Sequence, residues 1–272
     1  MKEDFFKMSI IDGCLNICKH RSIYSDCSIE DAVKHLKEGP THMVPYDYKK
    51  SMEVGNLFGW EIIVITGDRR TQLQQTLKNL VMKIMPFWAK VAYLGRSKVL
   101  KLLSDDQVQC LTYAGLLNEE LSEEALEWWE DIASISRQID QQKKLEIGRN
   151  GERRSLQLEK KKLDEENIDR IPKWISLEDN TAGYDILSYK RGDRNEIREK
   201  YIEVKACNFS PTHFFITNNE WEKAVNNKEK YLFHVWNFER DTLIELSVEQ
   251  VEQHIPTERG NGRWKLIEVF ID

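Results

Sequence analysis

The sequence predicts a two-domain α/β protein. A mixed α/β N-terminal domain with a helical connector covers residues 1–140, and a second α/β domain covers residues 141–272. In the second half, short segments rich in Val, Ile, Tyr and Leu alternate with helical segments and are bounded by Asn, Asp and Gly. In the first half, an apolar run at 60–66 precedes an amphipathic stretch at 71–85. Between the halves, residues 118–166 are polar and rich in Glu, Gln, Lys and Leu, which indicates helix for most of their length.

The N-terminal domain is predicted to contain both helices and strands. Ser28 supplies an N-cap for the first helix, and Gly39 and Pro40 are expected to end it. The second helix carries an apolar stripe and is followed by Pro86. The predicted helices cover 28–36 and 71–85, and the predicted strands cover 60–66, 90–94 and 98–103, the last two as a hairpin.

The predicted connector contains the aromatic pair Trp128 and Trp129 within an apolar stripe. Packing of this pair against the N-terminal domain is favoured over an exposed partner surface. Residues 140–144 are polar all round, so the domain boundary is placed near residue 140.

The C-terminal domain is predicted to alternate strands and helices in a fixed order. Its strands are short and end at Asn, Asp or Gly, so this prediction stands on the local pattern. The predicted elements are a helix at 148–166, strands at 173–177, 184–189 and 200–206, a helix at 218–227, strands at 230–237 and 242–246, a helix at 247–254 and a strand at 264–270.

Composition bounds the class of protein. Hydrophobic residues make up 40% and charged residues 32% of the chain, as expected for a globular protein. No apolar run approaches the roughly 20 residues needed to span a bilayer, and the acidic N-terminus lacks the pattern of a signal peptide. We therefore expect a cytoplasmic protein that does not use a membrane. A net charge of −6 argues against binding nucleic acid over the whole surface.

The chain has five cysteines, an odd number, which favours free thiols in a reducing compartment. Cys14, Cys18, His20 and Cys27 cluster in the sequence and raise the alternative of a zinc-dependent regulator. Their spacing does not form a pair of CxxC motifs. Ordinary buried thiols are the favoured interpretation.

The residues that suggest a metal-binding site lie on two predicted strands. Glu203 and Lys205 are two residues apart in the strand Tyr201–Lys205, so they share one face of the sheet. Asp185 lies in the segment Gly183–Ser188, on a neighbouring strand. Carboxylates that converge repel each other unless a cation lies between them, and oxygen ligands suit Mg²⁺ or Mn²⁺. The alternative is an edge hairpin whose charges merely pair across the strands.

These segments resemble the PD-(D/E)xK, or restriction-endonuclease-like, superfamily, whose signature is an acidic residue, a spacer and then D/E-x-K. Asp185, Glu203 and Lys205 stand at the matching positions. More narrowly, residues 145–240 are similar to the domain at the C-terminus of the plant NO VEIN protein and of many prokaryotic defence proteins. The segments that carry this similarity are Gly148–Glu152, Trp174–Ser176, Gly183–Ser188, Tyr201–Lys205 and Ile216–Glu220.

The resemblance implies an αβββαβ core and a site for Mg²⁺ or Mn²⁺. Asp185 and Glu203 would be metal ligands, the Val204 carbonyl would add a third oxygen, and Lys205 would hold or help deprotonate the attacking water. Glu152, expected at the head of the first helix, would complete the site. Its alternative role is to complement the helix dipole, which needs no catalysis.

A local basic excess lies beside this site in the sequence. Between Lys143 and Lys162 there are eight basic and three acidic residues. The residues predicted to contact phosphates are Arg149, Arg153, Arg154, Lys160, Lys161 and Lys162. The alternative is a solvated helix face.

Several other polar and aromatic residues have simpler interpretations. Glu159 is expected to be an exposed surface acid, and His234 a hydrogen-bonded strand histidine. Three tryptophans, Trp174, Trp221 and Trp236, are expected in the core rather than as platforms for base stacking. Residues Asn219, Glu220 and Tyr231 fit the family pattern and are expected to support the site.

Taken together, the residues and the resemblance lead to the hypothesis of a Mg²⁺-dependent endonuclease acting on DNA. The resemblance further implies a role in defence against phage or foreign DNA and possible homodimers. The hypothesis assigns recognition or partner binding to the N-terminal domain. The rival hypothesis is a non-catalytic nucleic-acid-binding or scaffolding module that keeps the nuclease fold and works with a partner protein.

Overall fold

The computed structural model describes residues 2–39, 46–257 and 262–271. The chain forms two compact units, Met1–Gln141 and Gln142–Asp272, so the predicted boundary lies one residue from the observed division. The predicted α/β class is confirmed, with helices in the first unit and a mixed sheet in the second. Within the described ranges, no helix is both long and apolar enough to cross a bilayer.

The first unit is built from helices. The Ser28 side chain accepts a hydrogen bond from the Asp31 N–H, and this cap begins the predicted helix. The predicted helix at 71–85 is also observed, beginning two residues earlier. The helices are α1 (Met8–Ile23), α2 (Ile29–Glu38), α3 (Tyr48–Phe58), α4 (Arg69–Ile84), α5 (Phe87–Lys90), α6 (Arg96–Leu100), α7 (Asp105–Tyr113) and α8 (Glu123–Glu165), which continues into the second unit.

The strand predicted at 60–66 is wrong. The segment forms a 3-10 turn, Trp60–Ile62, followed by irregular chain, and residues 2–39 and 46–141 contain no strand. Side chains of α4 form hydrogen bonds with the backbone N–H and C=O groups of this segment, which a neighbouring strand would otherwise have paired. The apolar run is therefore packed without a sheet. These bonds join Asn79 Nδ2 to Ile62 O (2.9 Å), Gln72 Nε2 to Ile65 O (2.9 Å) and Val64 N to Thr76 Oγ1 (3.0 Å).

The hairpin predicted at 90–94 and 98–103 is also wrong. The segment folds into α5, a 3-10 turn and α6, with Gly95 at a φ of 100° between the last two. Trp88 and Ala92 are buried four residues apart, which is helical spacing. The N-terminal domain is therefore helical and not mixed α/β over its described residues.

Trp128 and Trp129 pack in the core of the first unit, as favoured from the sequence. Their side chains are 3% and 7% exposed, and their ring centroids lie 5.0 Å apart. The Trp128 indole donates to the Gln74 carbonyl and the Trp129 indole donates to the Leu116 carbonyl, both at 2.9 Å. Each buried indole N–H is thus satisfied, and the pair belongs to the interior.

The second unit contains a five-stranded sheet with the order β1-β2-β3-β5-β6. The β3–β5 pair is parallel and the others are antiparallel, while β4 and β7 form a separate antiparallel ribbon. Every predicted strand is observed with shifted ends, and β4 is additional. The strands are β1 (Lys173–Trp174), β2 (Ile186–Arg191), β3 (Ile197–Cys207), β4 (Thr212–Thr217), β5 (Tyr231–Asn237), β6 (Thr242–Ser247) and β7 (Leu266–Ile271), and the helices are α9 (Asn218–Asn226) and α10 (Val248–Glu252).

The two faces of the sheet have different neighbours. Ile202 and Val204 pack with Leu156 of α8. A Cβ built on Gly151 would lie 3.1 Å from the Ala206 Cβ, so this glycine lets α8 approach β3 closely. Residues of β3 alternate between faces, so Glu203 and Lys205 project to the face opposite α8.

Candidate functional site

Glu203 and Lys205 lie side by side on one face of β3, as the sequence predicts. The Lys205 Nζ is 2.8 Å from Glu203 Oε1 and 2.8 Å from Glu220 Oε2. Glu203 is 4% exposed. This face of β3 therefore holds one ammonium between two carboxylates in a largely buried setting.

Asp185 reaches the same point from the residue that precedes β2. Its N–H donates to the Ile202 carbonyl at 2.9 Å, and its Oδ2 accepts the Val204 N–H at 2.8 Å. The N–H and C=O of one strand residue point to the same edge, so the Val204 carbonyl also faces the Asp185 side. Asp185, Glu203 and the Val204 carbonyl thus converge where β2 begins.

The charges at this site are unevenly balanced. Burial, together with the nearby Glu152 charge, raises the pKa of Asp185 to about 6, although the Val204 N–H opposes this shift. Burial raises the pKa of Glu203, with further contributions from Asp185 and Glu220, even though Lys205 opposes it. Burial would lower the pKa of Lys205, but Glu203 and Glu220 outweigh burial and raise it. The site therefore carries more negative charge than Lys205 alone balances.

Glu220 and Tyr231, which were expected to support the site, contact its residues. Thr217 and Glu220 form a capping box at the start of α9, in which Glu220 Oε2 accepts the Thr217 N–H at 2.8 Å. The same oxygen contacts Lys205, so the cap also positions the lysine. The Tyr231 hydroxyl donates to the Gly183 carbonyl at 2.7 Å and lies 3.4 Å from Glu203 Oε2. Asn219 lies in the first turn of α9.

Glu152 lies in the middle of α8 and not at the head of a helix, so that prediction is wrong. A mid-helix acid cannot complement a helix N-terminus, which removes the dipole alternative. Its Oε2 accepts hydrogen bonds from the Trp174 indole and, at 2.5 Å, from the Ser176 hydroxyl. Glu152 is thus held by β1 and the turn after it, near enough to Asp185 to raise the pKa of that carboxyl.

The donors present fit a hard divalent cation. Asp185, Glu203 and the Val204 carbonyl offer oxygen atoms only, which is the ligand type that Mg²⁺ and Mn²⁺ prefer. Burial and the charges of neighbouring carboxylates raise the pKa values of both carboxyls, and a cation bound here would relieve that repulsion. Asp185, Glu203 and Val204 are the residues that would hold the ion, with Glu152 beside them.

The predicted phosphate-contacting residues of α8 do not form one free surface. Arg153, Lys160 and Lys161 are exposed, and four of the six, Lys161 among them, contact acids. Arg153 is two residues from both Gly151 and Ser155, which are buried, so it points away from the sheet. The contacts are Arg149 with Glu152 (3.6 Å), Arg154 with Asp241, Lys161 with Glu165 (3.6 Å) and Lys162 with Glu245.

Glu159 is completely buried, so the prediction of an exposed surface acid is wrong. Its carboxylate lies 2.5 Å from the Lys200 Nζ and 3.8 Å from the His234 Nε2. The His234 Nδ1 lies 3.0 Å from the Ser155 hydroxyl, so this strand histidine is buried and hydrogen-bonded, as expected. These groups lie between α8 and the sheet, on the face opposite Glu203, and tie the helix to β3 and β5.

The three tryptophans expected in the core of the second unit, Trp174, Trp221 and Trp236, are all partly buried. The Trp221 ring packs against the core beneath α9, and the Trp236 indole donates to the Ser155 hydroxyl at 2.8 Å. The Trp174 indole bonds Glu152, as described above. None of these side chains is a free platform for a base.

An aromatic surface beside Lys205 is absent from the sequence predictions. The His213 ring stacks on Phe209 with centroids 6.0 Å apart and contacts Phe215 and Phe270 at 6.3 and 5.6 Å. A cavity of about 210 Å³ is lined by Phe209, His213, Phe215 and Lys205, among others. The β-branched and aromatic composition of Thr212–Thr217 was the sequence signal that could have located it.

The fold and site together define a mixed α/β domain with two acids and a lysine gathered at the central strand of a sheet. Residues 151–247 match the family described as Protein NO VEIN, C-terminal. The match covers nearly all of the resemblance at 145–240 and ends with β6, and the second unit therefore carries a domain of this type. No curated protein and no solved structure matches the chain.

Proposed function

We propose that the second unit is a metal-dependent endonuclease that hydrolyses phosphodiester bonds of DNA. The observation that carries this proposal is the convergence of Asp185, Glu203 and Lys205 beside the Val204 carbonyl. Mg²⁺ or Mn²⁺ bound by these oxygens would lower the pKa of a water molecule and neutralise charge on the phosphate.

The chain's own residues would supply the remaining chemistry. Lys205 contacts two carboxylates at 2.8 Å, an arrangement that keeps the amine protonated. Its role would therefore be to donate hydrogen bonds to the attacking water and to stabilise the negative charge of the transition state. Glu220 and Tyr231 would orient Lys205 and Glu203 respectively.

The NO VEIN type of domain also occurs in many prokaryotic defence proteins, a resemblance that supports a role in defence against phage or foreign DNA. The first unit would then bind a partner or contribute to recognition. Arg153 and Lys160, which are exposed on α8, are the residues of the predicted basic set best placed to meet phosphates outside the site.

Cleavage of supercoiled plasmid and of single-stranded DNA tests the proposal directly. Wild-type protein is expected to cut with Mg²⁺ or Mn²⁺ and to stop with chelator. Loss of an outer partner of a metal ligand costs about 10–100-fold, so Glu203→Ala, which removes a ligand itself, is expected to lose more than about 100-fold.

Glu222→Ala is the matched control, because Glu222 is an exposed acid on the same helix as Glu220. It is expected to retain wild-type cleavage. Equal cleavage by wild type and Glu203→Ala would refute the site assignment.

A non-catalytic nucleic-acid-binding module is the second candidate function, and the aromatic surface beside Lys205 favours it. Phe209 is 63% and Phe215 49% exposed, and such rings are suited to stack on unpaired bases. Wild-type protein that binds single-stranded DNA tightly with bound metal, yet cuts neither substrate, would support this candidate over the nuclease.

Phe209→Ala tests whether the aromatic surface contacts bases. Stacking on one base contributes about 1–3 kcal/mol, so the affinity for a single-stranded oligonucleotide is expected to fall by about 5–150-fold. Fluorescence anisotropy with a labelled oligonucleotide measures the change. Phe87→Ala, which removes an exposed ring of the first unit, is the control and is expected to bind normally. If both variants bind alike, the aromatic surface has no part in binding.

A further inference from the structure

Three potential metal ligands meet in the first unit, away from the acidic site. His20 lies in the last turn of α1, Cys27 precedes the Ser28 cap, and His35 lies in α2. One ligand atom from each residue lies within 4.8 Å of the others. Tetrahedral zinc with sulfur and nitrogen ligands places neighbouring ligand atoms roughly 3.3–3.6 Å apart, so small side-chain rotations would close the site.

A second observation supports a metal ion at this cluster. The His20 Nδ1 is buried and has no hydrogen-bond partner. Buried polar atoms in folded proteins are almost always paired, so an unpaired imidazole nitrogen on a residue of this cluster requires an explanation. A bound metal ion would satisfy it.

We propose that His20, Cys27 and His35 bind a zinc ion that fastens α2 to α1. A thiolate with two imidazoles is a donor set typical of zinc and unlike the all-oxygen set around Asp185. A water molecule would occupy the fourth position. This proposal is independent of the proposed nuclease function.

The surroundings explain why such a clamp would matter. A small apolar cluster, with Ile17, Ala32 and Val33 buried at its centre, lies between α1 and α2. A cluster of this size contributes limited stability, and a metal that binds only the folded state adds stability through its binding free energy.

The ligand set differs from the one suggested by sequence proximity. Cys14 is fully buried in the main core of the first unit, where its thiol contacts the Ser51 carbonyl at 3.5 Å. Burial raises the pKa of Cys14 to about 12, which disfavours the thiolate that zinc requires. Cys18 packs against the same core. His35, fifteen positions after His20, takes their place.

Metal analysis of the full-length chain, purified without an affinity tag of histidines and dialysed, tests the site. The expected result is one zinc per chain in wild type. Cys27→Ser and His35→Ala are each expected to weaken zinc binding by more than about tenfold. Cys18→Ser is the matched control and is expected to keep the metal, as is Glu203→Ala, which alters only the acidic site.

Cobalt substitution supplies a readout that does not depend on the variants folding. Wild-type protein loaded with Co²⁺ is expected to show the charge-transfer absorption of a cobalt–thiolate bond and the intense visible bands of tetrahedral cobalt. Absence of zinc from wild type together with absence of the thiolate band would overturn the proposal. Full zinc retention by a folded Cys27→Ser variant would overturn it as well.

Discussion

Replacing Lys205 with alanine is expected to abolish DNA cleavage and to lower the free energy of unfolding by about 3–5 kcal/mol. The change leaves Glu203 buried and Glu220 half-buried without the cation that lies 2.8 Å from each. An uncompensated buried charge is far more destabilising than the loss of a surface ion pair. Urea denaturation near neutral pH, without added metal, measures the change.

Asp185→Asn is the matched variant, and its free energy of unfolding is expected to rise where that of the Lys205 variant falls. In wild type, the pKa of Asp185 is raised from 3.8 to about 6, so the folded state binds this proton more tightly than the unfolded state. The extra stability that this bound proton gives the folded state is fully present below pH 3.8 and is lost as the pH rises through about 6. Because one pKa unit corresponds to 1.36 kcal/mol, ionised Asp185 destabilises the metal-free protein by up to about 3 kcal/mol near neutral pH.

The asparagine variant can still accept the Val204 N–H and carries no charge. We therefore expect it to be more stable than wild type above about pH 6, to show little difference below about pH 4, and to be inactive. Two inactive variants with opposite stability changes would show that this site is organised for a cation and not for stability. A destabilised Asp185→Asn protein near neutral pH would contradict this interpretation.

Replacing Glu159 with alanine is expected to destabilise the second unit by about 3–5 kcal/mol. Glu159 is fully buried with Lys200 at 2.5 Å, and the Lys200 side chain is only 13% exposed. The variant leaves that ammonium without its buried partner and loosens α8 from β3. Thermal or urea unfolding followed by tryptophan fluorescence would report the loss.

Glu165→Ala is the control for this second variant. Glu165 is an exposed acid of the same helix, paired with Lys161 at 3.6 Å. Exposed pairs of this spacing contribute about 0.3–0.5 kcal/mol, so the change is expected to be small. Similar losses in the two variants would mean that Glu159 is not held as the structure places it.

The cluster around Glu159 also makes the second unit sensitive to acid. Burial would raise the pKa of Glu159, but the Lys200 charge and the hydrogen bonds to this carboxylate together outweigh burial and lower the pKa. The contribution of Glu159 to stability is therefore lost as the pH falls below 4.5. Burial lowers the pKa of His234 from 6.5 to about 4, so stability is also lost as the pH falls between those values. Both lowered pKa values therefore make the folded state less stable as the pH falls.

The sequence by itself determined the local features of the candidate site. The two-residue period of a strand is a property of the backbone, so it placed Glu203 and Lys205 on one face without any knowledge of the fold. The spacing Thr217-x-x-Glu220 carries the signal of a capping box. The motif pattern led to the NO VEIN type of domain, which the family match confirms.

Only the tertiary structure decided which distant residues complete these features. The run at 60–66 would be equally apolar if its backbone groups bonded a neighbouring strand or side chains of α4. Hydrophobic periodicity therefore cannot distinguish a strand from an irregular segment here. Glu159 and an exposed acid look alike in the sequence, since burial depends on whether a cation such as Lys200 lies opposite. His20 and His35 are brought together by the packing of α2 on α1. Local backbone geometry is encoded over a few residues, whereas charge balance and ligand sets depend on contacts between segments far apart in the chain.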